Sequence, residues 1–143
     1  MRCVLDTDVF IAAVRSPTGA SRYWLTAALR QRYTLLLSPP LFLEYEDVLK
    51  RAETLAAVGL AVADADTLLD ALAAVVEPIE VNFLWRPQLR DPGDEMVLEA
   101  AVNGQADWLL TFNQRHLGDA ARRFGIHCDR PGNALVRYPE LRA

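Results

Sequence analysis

Acidic residues stand directly after the first apolar segment of the sequence. Residues 1–5 are predicted to form a short, largely apolar strand, and Asp6-Thr7-Asp8 follows at once. Packing alone does not explain this acid pair, because an unpaired charge near a hydrophobic core is costly. In open α/β sheets, ligands bind in the crevice outside the carboxyl ends of the strands. Asp6 and Asp8 are therefore predicted to supply negatively charged oxygen ligands in such a crevice.

A further acid is predicted on the buried side of a helix that runs from Asp91 to about Val102. At about 100° per residue, Asp94 falls in the middle of the apolar face of this helix. The face is formed by Val97, Leu98, Ala101 and Val102, whereas Glu95, Glu99 and Asn103 are predicted to lie away from it. An acid in line with a buried face needs a partner, a metal or a cleft. The alternative is a helix cap with Asp91 as N-cap, Pro92 at the first helical position and Asp94 at the third, and Asp91 is assigned mainly to this cap.

Two more polar residues occupy comparable places. Glu44 lies at the margin of the apolar face of its predicted helix and, unlike Glu46 and Asp47, has no opposite charge three or four residues later. Asn113 follows the apolar run Trp108-Leu109-Leu110. The structural alternatives are a solvent-facing carboxylate for Glu44 and a turn or N-cap residue for Asn113. The residues that a single cleft would explain together are Asp6, Glu44, Asp94 and Asn113.

Strand-like and helical segments alternate along the chain and would position these residues. Strands are predicted at residues 2–6, 34–37, 76–81, 108–111 and 126–128. Helical patterns of ten or more residues lie between most of them, which is typical of βαβ units and a parallel sheet. A chain of 143 residues is expected to form one domain, from residue 1 to residue 143.

Local patterns predict several helix boundaries. Ser38-Pro39-Pro40 is typical of a helix start, and the helix that follows is predicted to reach Ala52. Its polar side carries the opposite-charge pairs Glu46–Lys50 and Asp47–Arg51. Residues 58–75 are predicted to form a helix–turn–helix segment with Asp64 near a cap, and residues 82–90 a loop.

The composition excludes several classes of protein. The net charge is −4, so there is no overall basic character, and fourteen of the fifteen basic residues are arginine. No apolar run approaches the roughly 18 residues that span a bilayer. Asp6 and Asp8 interrupt the segment that a secretory signal would need. Cys3 and Cys128 both lie in predicted strands, which favours a reducing cytoplasm over a disulfide scaffold.

The ordered set of motifs resembles the PIN domain family, a ribonuclease fold that is widespread among VapC-like toxins of toxin–antitoxin pairs. The first two matching pieces are Val4-Leu5-Asp6-Thr7-Asp8-Val9, and Ser38-Pro39 through Leu43-Glu44 into Val48-Leu49. The next two are Asp91-Pro92-Gly93-Asp94 through Ala100-Ala101, and Ala106-Asp107-Trp108-Leu109-Leu110-Thr111-Phe112-Asn113. The tail from Gly125-Ile126-His127 to Pro131 is similar to the last strand of the family. The resemblance implies a three-layer α/β/α fold with a mainly parallel sheet of about four to five strands.

The resemblance also assigns roles to individual residues. Asp6, Glu44 and Asp94 take the places of the three main acids of the family. Asn113 stands where the family often has a fourth acid, which removes one negative charge but keeps an amide oxygen. The secondary candidates are Asp8, which stands where the family often has Asn, Asp91, and Thr111, which matches a hydroxyl that orients a site residue or water.

The chemistry expected of these carboxylates is metal-assisted hydrolysis. Carboxylates without His or Cys ligands nearby favour hard cations, Mg²⁺ or Mn²⁺. The two histidines and two cysteines do not have the spacing of a zinc site; they are His116, His127, Cys3 and Cys128. With RNA as substrate, the expected products carry a 5′-phosphate and a 3′-hydroxyl. Arg15, Arg90 and Arg115 are nearest in sequence to the acids and are candidates to position phosphates.

Two other functions fit parts of the sequence. Leu5-Asp6-Thr7-Asp8-Val9 resembles the nucleophile motif of haloacid dehalogenase-type phosphatases, which also use a basic residue, usually lysine, against the phosphate. The only lysine, Lys50, is predicted to lie on the solvated side of an acid-rich helix. The second alternative is a non-catalytic PIN-like module that binds RNA or a partner, and Asn113 is the residue that favours it.

The resemblance implies partners as well. A toxin would pair with an antitoxin that occupies the acidic cleft and offers arginine to its carboxylates. A homodimer is a further expectation, and the apolar helical stretch at residues 55–76 offers a surface for it, although core packing explains the same stretch.

Overall fold

The central sheet consists of five parallel strands in the computed structural model, which describes residues 1–82 and 91–143. The strands are β1 (Arg2–Leu5), β2 (Thr34–Leu37), β3 (Glu77–Pro78), β4 (Trp108–Leu110) and β5 (His127–Asp129). Their order across the sheet is β3-β2-β1-β4-β5. β1 is therefore the middle strand. The topological switch point of the sheet lies at its carboxyl end, between β1 and β4.

Helices cover both faces of this sheet. They are α1 (Thr7–Arg15), α2 (Ala20–Leu29), α3 (Pro39–Leu49), α4 (Ala52–Val58), α5 (Val62–Val75), α6 (Pro92–Asn103), α7 (Gln114–Arg123) and α8 (Pro131–Arg137), with a 3₁₀ turn at Pro139–Arg142. The predicted three-layer α/β/α fold is confirmed, and every strand pair in the described residues is parallel. None of the described helices is long and apolar enough to cross a membrane.

The predicted strands are all present, with shorter or shifted ends. β3 is limited to Glu77–Pro78, where residues 76–81 were predicted. Pro78 has no N–H to donate, which suits a position at the edge of the sheet. The backbone N–H of Ile79 still donates to the carbonyl oxygen of Leu37. The loop predicted at residues 82–90 lies, apart from Asn82, outside the described residues.

The prediction that one helix reaches Ala52 was wrong. α3 ends at Leu49, and Ala52 is the first residue of α4. Arg51 has extended backbone angles (φ −63°, ψ 140°), so the chain turns there. The turn leaves Lys50 in contact with Asp66 of α5 as well as with Glu46. Both predicted opposite-charge pairs are nevertheless present, because Lys50 and Arg51 still lie one turn beyond Glu46 and Asp47.

The helix–turn–helix predicted at residues 58–75 contains a single helix, α5 (Val62–Val75), because α4 already ends at Val58. The predicted helix start at Ser38 and the cap near Asp64 are confirmed. The Ser38 side chain accepts a hydrogen bond from the Leu41 N–H at 3.3 Å and begins α3. The Asp64 carboxylate accepts from the Ala61 N–H at 3.1 Å at the start of α5. Gly59 (φ 75°) ends α4 in the left-handed conformation, which glycine adopts without a steric penalty.

Tyr45 fixes α3 against the central strand. Its ring is fully buried and stacks on Phe10 of α1, with 4.3 Å between ring centroids and 6° between planes. Its hydroxyl donates a hydrogen bond to the carbonyl oxygen of Leu5, the last residue of β1. Because Glu44 precedes Tyr45 and Asp6 follows Leu5, this contact sets two of the predicted site residues side by side.

We expect Tyr45→Phe to lower the free energy of unfolding by about 1–3 kcal/mol, because the buried Leu5 carbonyl loses the phenol donor. Chemical denaturation measures this change. Tyr23→Phe is the control, since Tyr23 is only partly buried, and its effect should stay within about 0.5 kcal/mol. Equal effects of the two substitutions would show that the buried hydrogen bond does not stabilise α3 on β1.

Candidate active site

A cleft of about 580 Å³ opens at the carboxyl end of β1. Its polar lining residues are Asp6, Thr7, Asp8, Arg15, Glu44, Asp91, Asp94 and Asn113, and its other lining residues are Ile11, Ala12, Val48, Gly93 and Phe112. The four residues that the sequence predicts as the main site residues are thus brought to one cleft. Five carboxylates line it against one arginine, Arg15, so its charge is strongly negative in the described residues.

Asp6 is held in one orientation by hydrogen bonds to both of its carboxylate oxygens. It is the N-cap of α1, where Oδ1 accepts from the Thr7 N–H at 2.8 Å. Oδ2 accepts from the Thr111 hydroxyl at 2.7 Å. The residue is 7% exposed, and its burial raises the pKa of the carboxyl above the usual value although both hydrogen bonds lower it. Asp6 is therefore a preorganised acceptor at the end of the central strand.

Thr111 connects the ends of two neighbouring strands. It is fully buried just beyond β4, beside β1. While its hydroxyl donates to Asp6, it accepts a hydrogen bond from the Asn113 N–H at 2.9 Å. Asn113 is the N-cap residue of α7 and is half-buried in the cleft lining. One hydroxyl thus fixes the Asp6 side chain and the backbone at Asn113.

Glu44 reaches the cleft from α3 and is half-buried. Burial raises the pKa of its carboxyl, and the negative charges of Asp6 and Asp91 raise it further. Gly93 lies next to it, since a Cβ built on Gly93 would stand 3.5 Å from Glu44 Oε2 and 3.2 Å from Asp91 Oδ1. α3 and the start of α6 are therefore in close contact at Gly93.

The start of α6 supplies Asp91 and Asp94, and both predictions for this helix are borne out in position. The Asp91 carboxylate accepts from the Gly93 N–H at 2.8 Å, as expected of a cap. Asp94 is 8% exposed and lies on the buried side of the helix. Asp91 also lines the cleft, so the same residue caps α6 and lies among the acids of the cleft.

The expected separation of Asp94 from the other acids of α6 was wrong. Glu95 and Glu99, which were predicted to lie away from the buried face, are 4% and 5% exposed. The helix packs against α3, α7, β1 and β2, so more than one of its sides is covered. Helical periodicity assumes a single buried face and therefore does not distinguish Asp94 from Glu95 and Glu99 by burial.

Asp8 lies in the first turn of α1 with its carboxyl next to that of Asp6. The residue as a whole is exposed, but the carboxyl faces the cleft. Loss of solvent around the carboxyl, together with the Asp6 charge, raises the pKa of Asp8 to about 7. The two carboxyls therefore resist simultaneous ionisation unless a cation lies beside them.

We expect Asp8→Asn to stabilise the metal-free protein at pH 8. An acid with a raised pKa in the folded state contributes stability at low pH that is lost as pH rises from 3.8 towards about 7. Removing the charge should raise the free energy of unfolding at pH 8 by roughly 1 kcal/mol. This is a small part of what the full pKa shift would give, because solvent screens the exposed residue. Thermal unfolding in EDTA at pH 3.5 and pH 8 measures it, with Asp70→Asn, an exposed acid of α5, as control. A gain at pH 3.5 equal to that at pH 8 would contradict the electrostatic cause.

Thr7 is a cleft residue that was not singled out in the sequence. Its Oγ1 is buried and has no hydrogen-bond partner among the described residues. A buried hydroxyl usually finds a partner, so a water or another polar ligand in the cleft would satisfy it. The sequence offered one indication, because Thr7 separates Asp6 and Asp8 in the Asp-Thr-Asp motif.

The donor set fits a hard cation. All the side-chain donors that line the cleft in the described residues are oxygen atoms, apart from the Arg15 guanidinium and the amide nitrogen of Asn113. Within residues 1–82 and 91–143, no three acidic, His or Cys side chains are arranged closely enough to enclose a metal ion by themselves. Oxygen donors of this kind suit a hard cation such as Mg²⁺, which commonly keeps several waters and takes only one or two carboxylates directly.

The predicted basic residues are placed differently from one another. Arg15 is exposed and lines the cleft, whereas Arg115 is an exposed residue of α7 outside the lining. Arg90 lies outside the described residues. Lys50 pairs with Glu46 and Asp66 and is absent from the described lining of the cleft.

Comparisons with known proteins agree with this architecture. The model of the PIN domain family matches residues 2–115. A chain in the crystal structure of VapBC2 from Rickettsia felis, bound to a DNA fragment from their promoter, superposes with a TM-score of 0.61. The match covers 91% of this chain and 98% of that chain at 13% identity, which establishes similarity of fold alone.

No match was found among curated proteins. The family model nevertheless covers most of the sequence, from β1 to the start of α7. PIN domains are generally nucleases, and they usually use divalent metal ions. The protein belongs to the PIN domain family.

Proposed function

We propose that this protein is a metal-dependent endoribonuclease that hydrolyses RNA phosphodiester bonds. The observation that carries the proposal is the convergence of Asp6, Glu44 and Asp94 on one cleft, from the end of β1, from α3 and from α6. These residues are distant in the sequence, and packing does not require acids at all three places. The haloacid dehalogenase alternative loses support, because Lys50 is engaged by Glu46 and Asp66.

Asp6, Glu44 and Asp94 would hold Mg²⁺ or Mn²⁺, one or two of them directly and the rest through waters bound to the ion. When bound, such an ion makes water a better nucleophile and stabilises the negative charge that develops on the phosphate. The protein contributes orientation, because the Thr111 hydroxyl and the Thr7 N–H keep the Asp6 carboxylate in place. Asp8 and Asp91 add negative charge around the same point, and the Asn113 amide offers a neutral oxygen where other family members often have an acid.

Two helix N-termini face the same cleft. α1 begins at Thr7 and α6 begins at Pro92, and residues at both starts line the cleft. The N-terminal end of a helix carries partial positive charge, which favours an anion there. Together with Arg15, these ends would help to position a phosphate that the acids alone would repel.

A labelled single-stranded RNA tests the proposal. We expect cleavage in Mg²⁺ or Mn²⁺ and none in EDTA, with products that carry a 5′-phosphate and a 3′-hydroxyl. Cleavage in EDTA, or products that end in a cyclic phosphate, would contradict metal-assisted hydrolysis. RNA binding without cleavage under any metal would favour the non-catalytic alternative, to which the neutral Asn113 points.

We further propose that the protein is a VapC-like toxin with an antitoxin partner. The structural similarity to a chain of the VapBC2 structure supports this assignment. An antitoxin that presents arginine to the five carboxylates of the cleft would neutralise them and exclude RNA. Production of the chain alone should arrest growth, and Asp94→Asn should relieve the arrest. Unchanged toxicity of Asp94→Asn would show that growth arrest does not depend on the cleft.

A homodimer remains part of the proposal. In the stretch at residues 55–76, Ala65, Leu69 and Leu72 belong to the core, and many of the exposed positions are alanines. Packing in the core thus explains why Leu69 and Leu72 are apolar. Sedimentation of the purified chain measures whether the remaining alanine-rich surface associates.

A further inference from the structure

The charge of the protein is divided unevenly along the sequence. Residues 115–143 contain six arginines and three acidic residues, whereas residues 1–114 contain nine basic and sixteen acidic residues. The basic part forms most of α7, then β5 and α8. β5 is an edge strand, so this part lies along one side of the sheet. A basic side next to an acidic cleft is the arrangement that a polyanion crossing from one to the other would need.

Phe112 stands where the cleft meets this basic side. It follows Thr111 directly, lines the cleft and is 39% exposed, which is unusual for a large aromatic residue beside a site. The guanidinium of Arg130, at the carboxyl end of β5, lies 6.0 Å from the centroid of the Phe112 ring. An exposed ring flanked by arginine is the type of platform on which unpaired bases stack.

A second group of basic residues continues from this point along β5. Arg122, His127 and Arg137 line a small pocket of about 180 Å³ beside Trp108 and the strand itself. The Arg137 guanidinium lies 5.5 Å from the centroid of the Trp108 ring, and Arg122 is exposed beside Asp119. The strand rises about 3.3 Å per residue, so His127 and Arg130 are roughly 10 Å apart. Consecutive phosphates of an extended strand lie closer together than this, so the two residues would contact phosphates that are not adjacent.

The acid in the middle of this surface is already engaged. Asp129 accepts hydrogen bonds from the Gln114 and Asn133 side chains and from the Arg130 backbone N–H, at 2.7, 3.0 and 2.7 Å. All three bonds are made to Oδ1, and Asp129 also lines the pocket together with Arg122 and Arg137. The guanidinium groups of Arg130 and Arg137 are exposed near the strand, and that of Arg122 is exposed but paired with Asp119 at 3.2 Å.

We propose that single-stranded RNA leaves the cleft with a base stacked on Phe112 and continues along the edge of β5, with its phosphates on Arg130, Arg122 and Arg137. This inference rests on the proposed function, since it names the path and the strandedness of the RNA substrate. Duplex RNA keeps its bases stacked on one another and offers no free base to Phe112. The protein should therefore prefer single-stranded RNA.

Binding of a fluorescent single-stranded RNA tests the path. It is measured by anisotropy in Mg²⁺, in the background of Asp6→Asn with Asp94→Asn so that the RNA remains intact. Phe112→Leu should weaken binding roughly tenfold, and Phe112→Tyr should retain it. A triple variant with Arg122→Gln, Arg130→Gln and Arg137→Gln should show a weaker salt dependence. The negative slope of log affinity against log salt should become shallower by about 2. The control is Arg30→Gln, an exposed arginine between α2 and β2 that lines neither the cleft nor the pocket beside Trp108, which should leave binding unchanged.

The outcomes separate this inference from the proposed function. RNA cleavage by the wild type together with unchanged binding of the Phe112 and arginine variants would overturn the path and leave the nuclease assignment intact. Absence of cleavage together with the expected losses of binding would overturn the nuclease assignment and support the path. Equal affinity for single-stranded and duplex RNA would overturn stacking on Phe112. Failure of the wild-type surface to bind RNA at all would overturn the path as well.

Discussion

Asp6→Asn combined with Asp94→Asn is expected to reduce RNA cleavage by roughly a thousandfold or more. Both acids are buried at the wall of the cleft, and both are proposed to hold the divalent ion. A metal ion stabilises the transition state of phosphoester hydrolysis by several kcal/mol, and about 1.4 kcal/mol corresponds to a factor of ten in rate. Single-turnover cleavage of a labelled RNA in Mg²⁺ measures the loss.

The same substitution should not unfold the protein. Asparagine has nearly the shape of aspartate, and removing charge from a crowded group of acids relieves repulsion. We therefore expect the metal-free double variant to be at least as stable as the wild type, and Mg²⁺ to raise the unfolding temperature of the wild type only. Asp47→Asn, an exposed acid of α3, is the matched control and should retain both cleavage and the response to Mg²⁺. A double variant that still cleaves at the wild-type rate would refute the proposed site.

Thr111→Val is expected to lower activity or apparent Mg²⁺ affinity by about 10- to 100-fold, the range typical of residues that orient a metal ligand. Thr111 is fully buried and makes no direct contribution to the cleft lining. Its hydroxyl acts through Asp6 Oδ2 at 2.7 Å and through the Asn113 N–H at 2.9 Å. Without it, one buried oxygen of Asp6 loses its donor and the carboxylate is free to rotate. The Mg²⁺ dependence of the cleavage rate measures the effect.

Thr111→Ser distinguishes orientation from packing. Serine keeps the hydroxyl and removes the methyl group, so it should retain most activity while losing some stability. Valine keeps the volume and removes the hydroxyl, so it should do the reverse. If both variants lowered stability alike and neither altered the Mg²⁺ dependence, Thr111 would be a packing residue only.

The strand ends and their polar residues were predictable from the sequence. A buried parallel strand appears as a short apolar run, and an acid or amide directly after it has to lie at the carboxyl edge of the sheet. This reasoning placed Asp6 and Asn113 correctly in the cleft. The helix caps at Ser38, Asp64 and Asp91 were predictable for a similar reason, since a cap depends on residues that are neighbours in the sequence.

Features that depend on contacts between distant segments were not predictable. Burial of Glu95 and Glu99 results from packing of α6 on several neighbours, and the break between α3 and α4 coincides with the contact of Lys50 with α5. The hydrogen bond from Thr111 to Asp6 joins residues 105 positions apart. Gly93 lies next to Glu44 only because two separate helices meet there. The spacing of residues along the sequence does not show which distant segments pack against each other.

The central place of β1 has a consequence for biosynthesis. Asp6 acquires its Thr111 donor, and β1 its second neighbouring strand, only after about a hundred further residues have been added to the chain. At the usual elongation rate of roughly 5–20 residues per second, that interval lasts about 5 to 20 s. A nascent chain on the ribosome, surrounded by messenger and ribosomal RNA, therefore carries its acids without the scaffold that aligns them. Truncated translation products that stop before Thr111 are expected to be harmless to the RNA around them.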